Sequence, residues 1–123
     1  MIQNWPEMKA FALGLDLPKV EEATSWGNEV LKAHGKLWVW WSPYIEAALF
    51  KCDKDEREML RAADPDTFPF HKHYESHSLI LVAGGRIDPG WAEARLRSTW
   101  RAAAPKRFLK EWDQSHAQTR IRC

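Results

Sequence analysis

Residues 29–52 read EVLKAHGKLWVWWSPYIEAALFKC. Runs rich in β-favouring residues, Glu29 to Ala33, Leu37 to Trp41 and Ile45 to Cys52, are separated by His34-Gly35 and by Ser42-Pro43-Tyr44. The first separator is a tight turn and the second is scarcely longer, so each run has to pair with the next as an antiparallel meander. Upstream the pattern already changes at Val20, and a run over Ala23 to Trp26 extends the meander to four strands. Leu37 to Trp41 is apolar on both faces, where a sheet wet on one side would alternate. Helices are therefore expected on one face and a neighbour or ligand on the other, with a surface Trp ladder as the plainer alternative.

Outside the meander the periodicity turns helical. Asn4 followed by Glu7 resembles a capping box, and Met8, Phe11, Ala12 and Leu15 recur at helical spacing until Leu17-Pro18. Asp53 with Glu56 opens a second helix, expected to turn Met59, Leu60 and Ala63 inward and to stop at Asp64-Pro65. Thr67 to His77 reads as a loop or irregular strand, and Leu79 to Ala83 as a buried strand ended by Gly84-Gly85. Asp88-Pro89 launches a helix whose inner face is Ala92, Leu96, Trp100 and Ala103. Pro105 breaks it, a short helix follows to Trp112, and residues 114–123 are expected as a tail. The fold class is thus α+β, an antiparallel β-sheet with helices packed on it in the order α-β4-α-β(1-2)-α-α, as a single domain over residues 1–123.

The chain has 123 residues, with 18 Lys and Arg against 17 Asp and Glu and 45% hydrophobic residues, which excludes disordered, collagen-like and coiled-coil classes. No apolar run approaches the roughly 20 residues that cross a bilayer. Met1 to Leu15 carries Glu7 and Lys9 and no signal-peptide core, so a cytoplasmic protein without a membrane partner is expected. Cys52 and Cys123 are expected as reduced thiols, leaving eight Trp and five Phe to supply the bulk of the core.

Phosphate-loop, dinucleotide, zinc-ribbon, zincin and hydrolase motifs are all missing, so neither an enzyme nor a cofactor is expected. The nearest approach to a metal site is His71 and His73, which would share a face of an extended segment, with Glu75, Cys52 or His77 as further ligands. The preferred reading there is a polar loop in which Tyr74 and His77 bond the backbone and pin the entry to a strand. Cys52, between Lys51 and Asp53 at a helix start, has the neighbours of an activated thiol, yet at the end of a strand it reads better as core.

Charge is unevenly spread. Residues 1–85 hold 9 basic and 13 acidic side chains, and residues 86–123 hold 9 basic and 4 acidic. Arg97 and Arg101 stand one turn apart, opposite Leu96 and Trp100, and Lys106, Arg107 and Lys110 follow on the next helix. With Lys36 at a hairpin tip and Arg86, this cluster could neutralise nucleic-acid phosphates. The alternative is a solvated Glu93–Arg97–Arg101 ladder, with the basic third neutralising the acidic helix around Asp55, Glu56 and Glu58. A pI near 7.8 is also below the value above about 9 typical of dedicated nucleic-acid-binding domains.

Several stretches resemble one family of small bacterial proteins. Leu17-Pro18, Val20-Glu21-Glu22 and Ser25-Trp26-Gly27 resemble its opening, and Leu31 through His34-Gly35-Lys36 to Trp38 resembles its first hairpin. Lys51-Cys52-Asp53, Asp55-Glu56-Arg57 and Ala63-Asp64-Pro65 resemble its middle strand and helix. His73-Tyr74 with His77, then Ile87-Asp88-Pro89, Trp100 and Ala104-Pro105-Lys106-Arg107, complete a likeness to the MmcQ/YjbR family over roughly residues 17–109. The resemblance implies a CyaY-like or secretion-chaperone-like α+β fold and a DNA-binding role through a double wing of hairpins. This chain departs from the family in carrying Leu79 where a Trp is frequent, and in the short Ser42-Pro43-Tyr44 hairpin, which leaves His34 to Lys36 as the better wing. Duplex DNA is therefore the expected partner, contacted by Lys36, Arg86, Arg97, Arg101, Lys106 and Arg107. The rival is an adaptor whose sheet surface, carrying Trp38 or Trp40, docks a protein or a second copy.

Overall fold

The short connections enforce the pairing read from them. A computed structural model describes residues 1–121, with side chains through Ser115. Helix α1 (Trp5–Gly14) precedes strands β1 (Val20–Ser25), β2 (Asn28–Ala33), β3 (Lys36–Trp41) and β4 (Ala47–Lys51). Then come α2 (Lys54–Ala63), β5 (Leu79–Ala83), α3 (Pro89–Ala103) and α4 (Lys106–Ile121). The strands form one sheet in the order β1-β2-β3-β4-β5, antiparallel throughout, so the α+β arrangement holds with a single strand after α2. Among the described residues no helix is long and apolar enough to cross a membrane. Cys123 lies outside them.

Both tight hairpins turn through two residues at positive φ, Trp26-Gly27 (54° and 78°) and His34-Gly35 (53° and 80°), the sign that a right-twisted hairpin requires. Glycine meets it without strain, whereas Trp26 and His34 each hold a left-handed backbone that costs roughly 1–2 kcal/mol.

A bulge explains the doubly apolar run. Leu31 pairs with Val39 but Lys32 pairs with Leu37, which leaves Trp38 as the extra residue of β3. Alternation is interrupted there, so Trp38 and Val39 both join the helix-covered core, with Trp41 packed against it. Trp40 packs instead into a smaller cluster on the other side, with Ala47, Leu49, Tyr74, Leu79 and Leu81. Trp38 is only 1% exposed, and its indole donates to the Leu96 carbonyl of α3 at 3.0 Å. It is a core residue, which removes it from the docking surface the sequence had suggested.

Local capping sets the helix starts. The Asn4 side chain accepts from Glu7 N at 3.0 Å, while the Glu7 carboxylate reaches one residue past the box position to Gln3 N at 2.8 Å. Asp53 accepts from Glu56 N, and Asp88 from Trp91 N at 2.8 Å. Ala92, Leu96 and Trp100 of α3 are buried as expected, and Ala103 is half-buried. Helix α4 runs to Ile121 rather than ending at Trp112, since no Gly or Pro follows Trp112.

The inward face of α2 differs from the expected one. Met59 is 72% exposed, Ala63 is exposed and Leu60 half-buried, while Arg57 is only 4% exposed. Its guanidinium fans over the carbonyl oxygens of Tyr74 (3.4 Å), Glu75 (3.2 Å), His77 (2.9 Å) and Leu79 (3.2 Å). Counting apolar residues cannot find this face, because the irregular segment before β5 presents carbonyls that an arginine fork satisfies. Arg61 adds a two-pronged pair with Glu75 at 3.1 and 2.9 Å. Pinning of the strand entry therefore belongs to Arg57 rather than to Tyr74 and His77. Tyr74 meets the Ser42 hydroxyl at 2.9 Å, and His77 takes part through its backbone.

Candidate nucleic-acid interface

Antiparallel order separates the loops into two ends. The Trp26-Gly27 tip, the Ser42 to Glu46 connection and Gly84 to Arg86 lie at one end. Lys19, the His34-Gly35 turn and Lys36 lie at the other. The start of α4 joins this second end, because the His34 ring packs 5.0 Å from Phe108 as well as 5.0 Å from Trp100 of α3. The Trp100 indole donates to the Pro18 carbonyl at 2.8 Å, and His34 N donates to the Lys19 carbonyl at 2.8 Å. Four separate stretches of chain are thus fixed to one corner.

The six cations expected to act together divide. Arg86 stands at the opposite end, its Nε on the Thr67 hydroxyl at 3.0 Å and its guanidinium 3.8 Å from Asp64. Arg97 is held by Glu93 at 2.8 Å, which is the first rung of the expected ladder. Arg101 leaves the ladder and grips Asp113 of α4 with both prongs, at 2.8 and 2.9 Å, and that carboxylate raises its pKa further. Lys36, Lys106 and Arg107 are exposed, and none has a carboxylate partner among the described ion pairs.

Lys19 shares that condition and was missed in the sequence. It stands just before β1, whose first residue Val20 pairs with Ala33 beside the turn. That pairing is implied by a tight His34-Gly35 turn once β1 is extended back to Val20. Along α4, Lys106, Arg107, Lys110, Glu111 and Gln114 line a shallow groove. Neutralisation of the acidic α2 by the basic third comes down to Arg95, which pairs with Glu56. Glu58 is taken by Arg57 and Arg61 of its own helix.

At the corner, the His34 Nε2 is enclosed and without a hydrogen-bond partner. Burial lowers the pKa of the ring, and the positive charges of Lys19 and Lys36 lower it further. The His34 N to Lys19 carbonyl bond and the two-residue step to Lys36 put both lysines beside this turn.

The other candidate chemistry has a different geometry. Tyr44 stacks on His71 at 5.3 Å and lies 4.6 Å from His73, while His71 Nδ1 already accepts from His73 N at 3.1 Å. Among the described residues no three His, Cys, Asp or Glu side chains gather to hold a metal ion. Cys52 is buried, and that burial pushes its thiol up to about 11 against the opposing pull of Arg95. Loss of hydration therefore outweighs the nearby cation, so Cys52 is a protonated core thiol rather than an activated nucleophile.

No curated protein and no solved structure matches the chain. A family model described as YjbR matches residues 15–102, from just after α1 through all five strands to the last turn of α3, and the chain belongs to that family.

Proposed function

We propose that this chain is a cytoplasmic, non-enzymatic protein that binds duplex DNA by its phosphates, through Lys36, Lys106 and Arg107 together with Lys19 and Lys110. The observation that carries the reading is the packing of His34 on Trp100 and Phe108, which locks the Lys36 hairpin onto the start of α4. Cations from three stretches of chain share one end, while Arg86, Arg97 and Arg101 are engaged by Asp64, Glu93 and Asp113. Phosphate contacts need unpaired cations at fixed spacing and no base-reading motif, so the reading predicts binding with little sequence preference. The DNA-binding role implied by the MmcQ/YjbR resemblance points the same way.

The test is fluorescence anisotropy on a labelled duplex across a salt series. These five cations give a log–log salt slope of roughly −4 to −5, and on the order of five-hundredfold weaker binding over an about fourfold rise in salt. Lys36→Gln with Lys106→Gln and Arg107→Gln should shrink that slope by roughly 2 to 3. Arg86→Gln with Arg97→Gln and Arg101→Gln removes the same formal charge and should change the slope far less. Equal losses from the two sets, or no saturable binding at low salt, overturn the reading. In the latter case the protein-partner reading gains ground, supported by Trp26, which is 97% exposed at a hairpin tip.

A further inference from the structure

The two edges of the sheet are finished differently. At β5, the Gly84 N to Glu46 carbonyl and Cys52 N to Ser78 carbonyl bonds turn the even-numbered residues toward β4, so Leu79, Leu81 and Ala83 face outward. The chain covers that edge itself. Ala83 N donates to the Thr67 carbonyl, Leu79 N to the His77 carbonyl, and Arg57 to the Leu79 carbonyl at 3.2 Å.

At the opposite edge, the His34 N to Lys19 carbonyl bond sets the phase of β1. Glu21, Ala23 and Ser25 turn their backbone groups to β2, which leaves the N–H and C=O of Val20, Glu22 and Thr24 directed away from the sheet. Among the described residues, no loop, turn or cap bond takes any of these groups. We propose that the β1 edge accepts an added strand from a protein partner, an extended segment with two consecutive cationic residues opposite Glu21 and Glu22 and an apolar residue where it reaches Trp26. The inference stands independently of the duplex reading.

Strand β1 lacks the usual devices that blunt an edge. It contains no proline, and its register with β2 runs from Val20 to Ser25 without a bulge. Its charges select the partner. Glu21 and Glu22 are exposed and, as neighbours in a strand, lie on opposite faces, so two consecutive cations match them. Lys9 of α1 bridges Glu22 and Glu29 at 2.5 and 3.1 Å yet leaves the Glu22 side chain 55% exposed. Glu21 stands opposite Lys32 and has no partner among the described ion pairs. Lys19 lies just outside, where its left-handed backbone (φ 62°) ends the strand. At the far end Trp26 is 97% exposed, an apolar ring for which the folded chain supplies no cover.

A second copy fits this edge poorly. Antiparallel self-pairing centred on Glu21 or Glu22 sets that glutamate against its own counterpart, and centring on Ala23 sets the two Glu22 on a diagonal. Registers farther along run into the left-handed backbone of Lys19 or Trp26. The same carboxylates therefore oppose self-association and favour a basic strand.

The probe is the capped heptapeptide Val-Thr-Val-Thr-Lys-Arg-Val, which laid antiparallel sets Arg opposite Glu21, Lys opposite Glu22 and its first Val at Trp26. Hydrogen exchange read by NMR on the full chain should show the amides of Val20, Glu22 and Thr24 fast when free and slowed by peptide at about 1 mM. N-methylation of the third and fifth peptide residues, which face β1, should abolish the effect. Exchanging Lys-Arg for Glu-Glu in the peptide should weaken binding about tenfold, and Glu21→Lys with Glu22→Lys should invert that preference. Thr24→Pro removes an outward amide and no ladder bond, so it should block the peptide and leave duplex binding unchanged.

Unslowed outward amides, equal binding of the N-methylated peptide, or a wild-type preference for Glu-Glu each overturn the inference. Slowing of the same amides with rising protein concentration and no peptide gives the edge to a second copy and overturns it too. The wild-type exchange and N-methyl arms decide the matter even if a variant does not fold.

Discussion

Replacing Arg57 by Met keeps an unbranched apolar stem and removes the guanidinium that spans the Tyr74, Glu75, His77 and Leu79 carbonyls. The bond to His77, at 2.9 Å, is short, while the other three lie between 3.2 and 3.4 Å. A hydrogen bond from a charged donor contributes about 1.5–3 kcal/mol, so the short one counts in full and the longer ones for a fraction each. The variant also leaves Glu75 with a single arginine and strands carbonyls against an apolar side chain. A loss of roughly 3–5 kcal/mol follows, in line with the cost of breaking a buried charged pair. A domain of this size has about 5–15 kcal/mol in total, so the variant should be close to its unfolding threshold. Urea unfolding followed by circular dichroism reads this as a large drop in midpoint at constant slope. Arg57→Lys keeps the charge without the fork and should recover less than half. A loss below about 1 kcal/mol for Arg57→Met would refute the claim that this arginine organises the segment before β5.

Three further outcomes are expected. Trp26→Asn places Asn-Gly in a turn that needs two left-handed residues, and should stabilise the chain by about 0.5–1 kcal/mol in urea unfolding; destabilisation would mean that the exposed indole makes contacts of its own. In a Cys123→Ser background, Cys52 should react with a thiol reagent at neutral pH only as fast as the protein opens, because it is buried and that burial pushes its thiol up to about 11. Reaction at the rate of a free cysteine would contradict its burial. Glu75 is held below the usual carboxylate range, chiefly by its hydrogen bonds from Arg61, so its contribution is complete above about pH 4.5 and fades as pH falls through the lower folded value. Glu75→Gln should therefore flatten the acid limb of the stability curve, and an unchanged limb would count against the Arg61 pairing.

What could be read from the sequence was local. His34-Gly35 and Ser42-Pro43-Tyr44 are too short to permit any pairing but neighbour to neighbour, and Asn4, Asp53 and Asp88 cap helices through atoms three residues away. What could not be read depends on partners distant in the chain. The Trp38 bulge reverses alternation midway along β3, so face assignment by parity fails there. Arg101 looks free along its own helix and is neutralised from the next one by Asp113. Arg86 and Lys36 look like parts of one basic set until antiparallel order sends them to opposite ends. Arg57 escaped because an inward arginine contradicts the apolar periodicity on which the α2 face was judged.

Sheet order in this chain also carries an expectation about the order of folding. Strands β1 to β4 close through short connections, so their pairing costs little loop entropy and can be complete early. Strand β5 must instead return across residues 52–78 before it meets β4, so its docking is expected to come later. The arginine clasp over the segment before β5 belongs to that late event. Its loss should therefore shorten how long the folded chain survives between openings and change little how quickly the meander assembles.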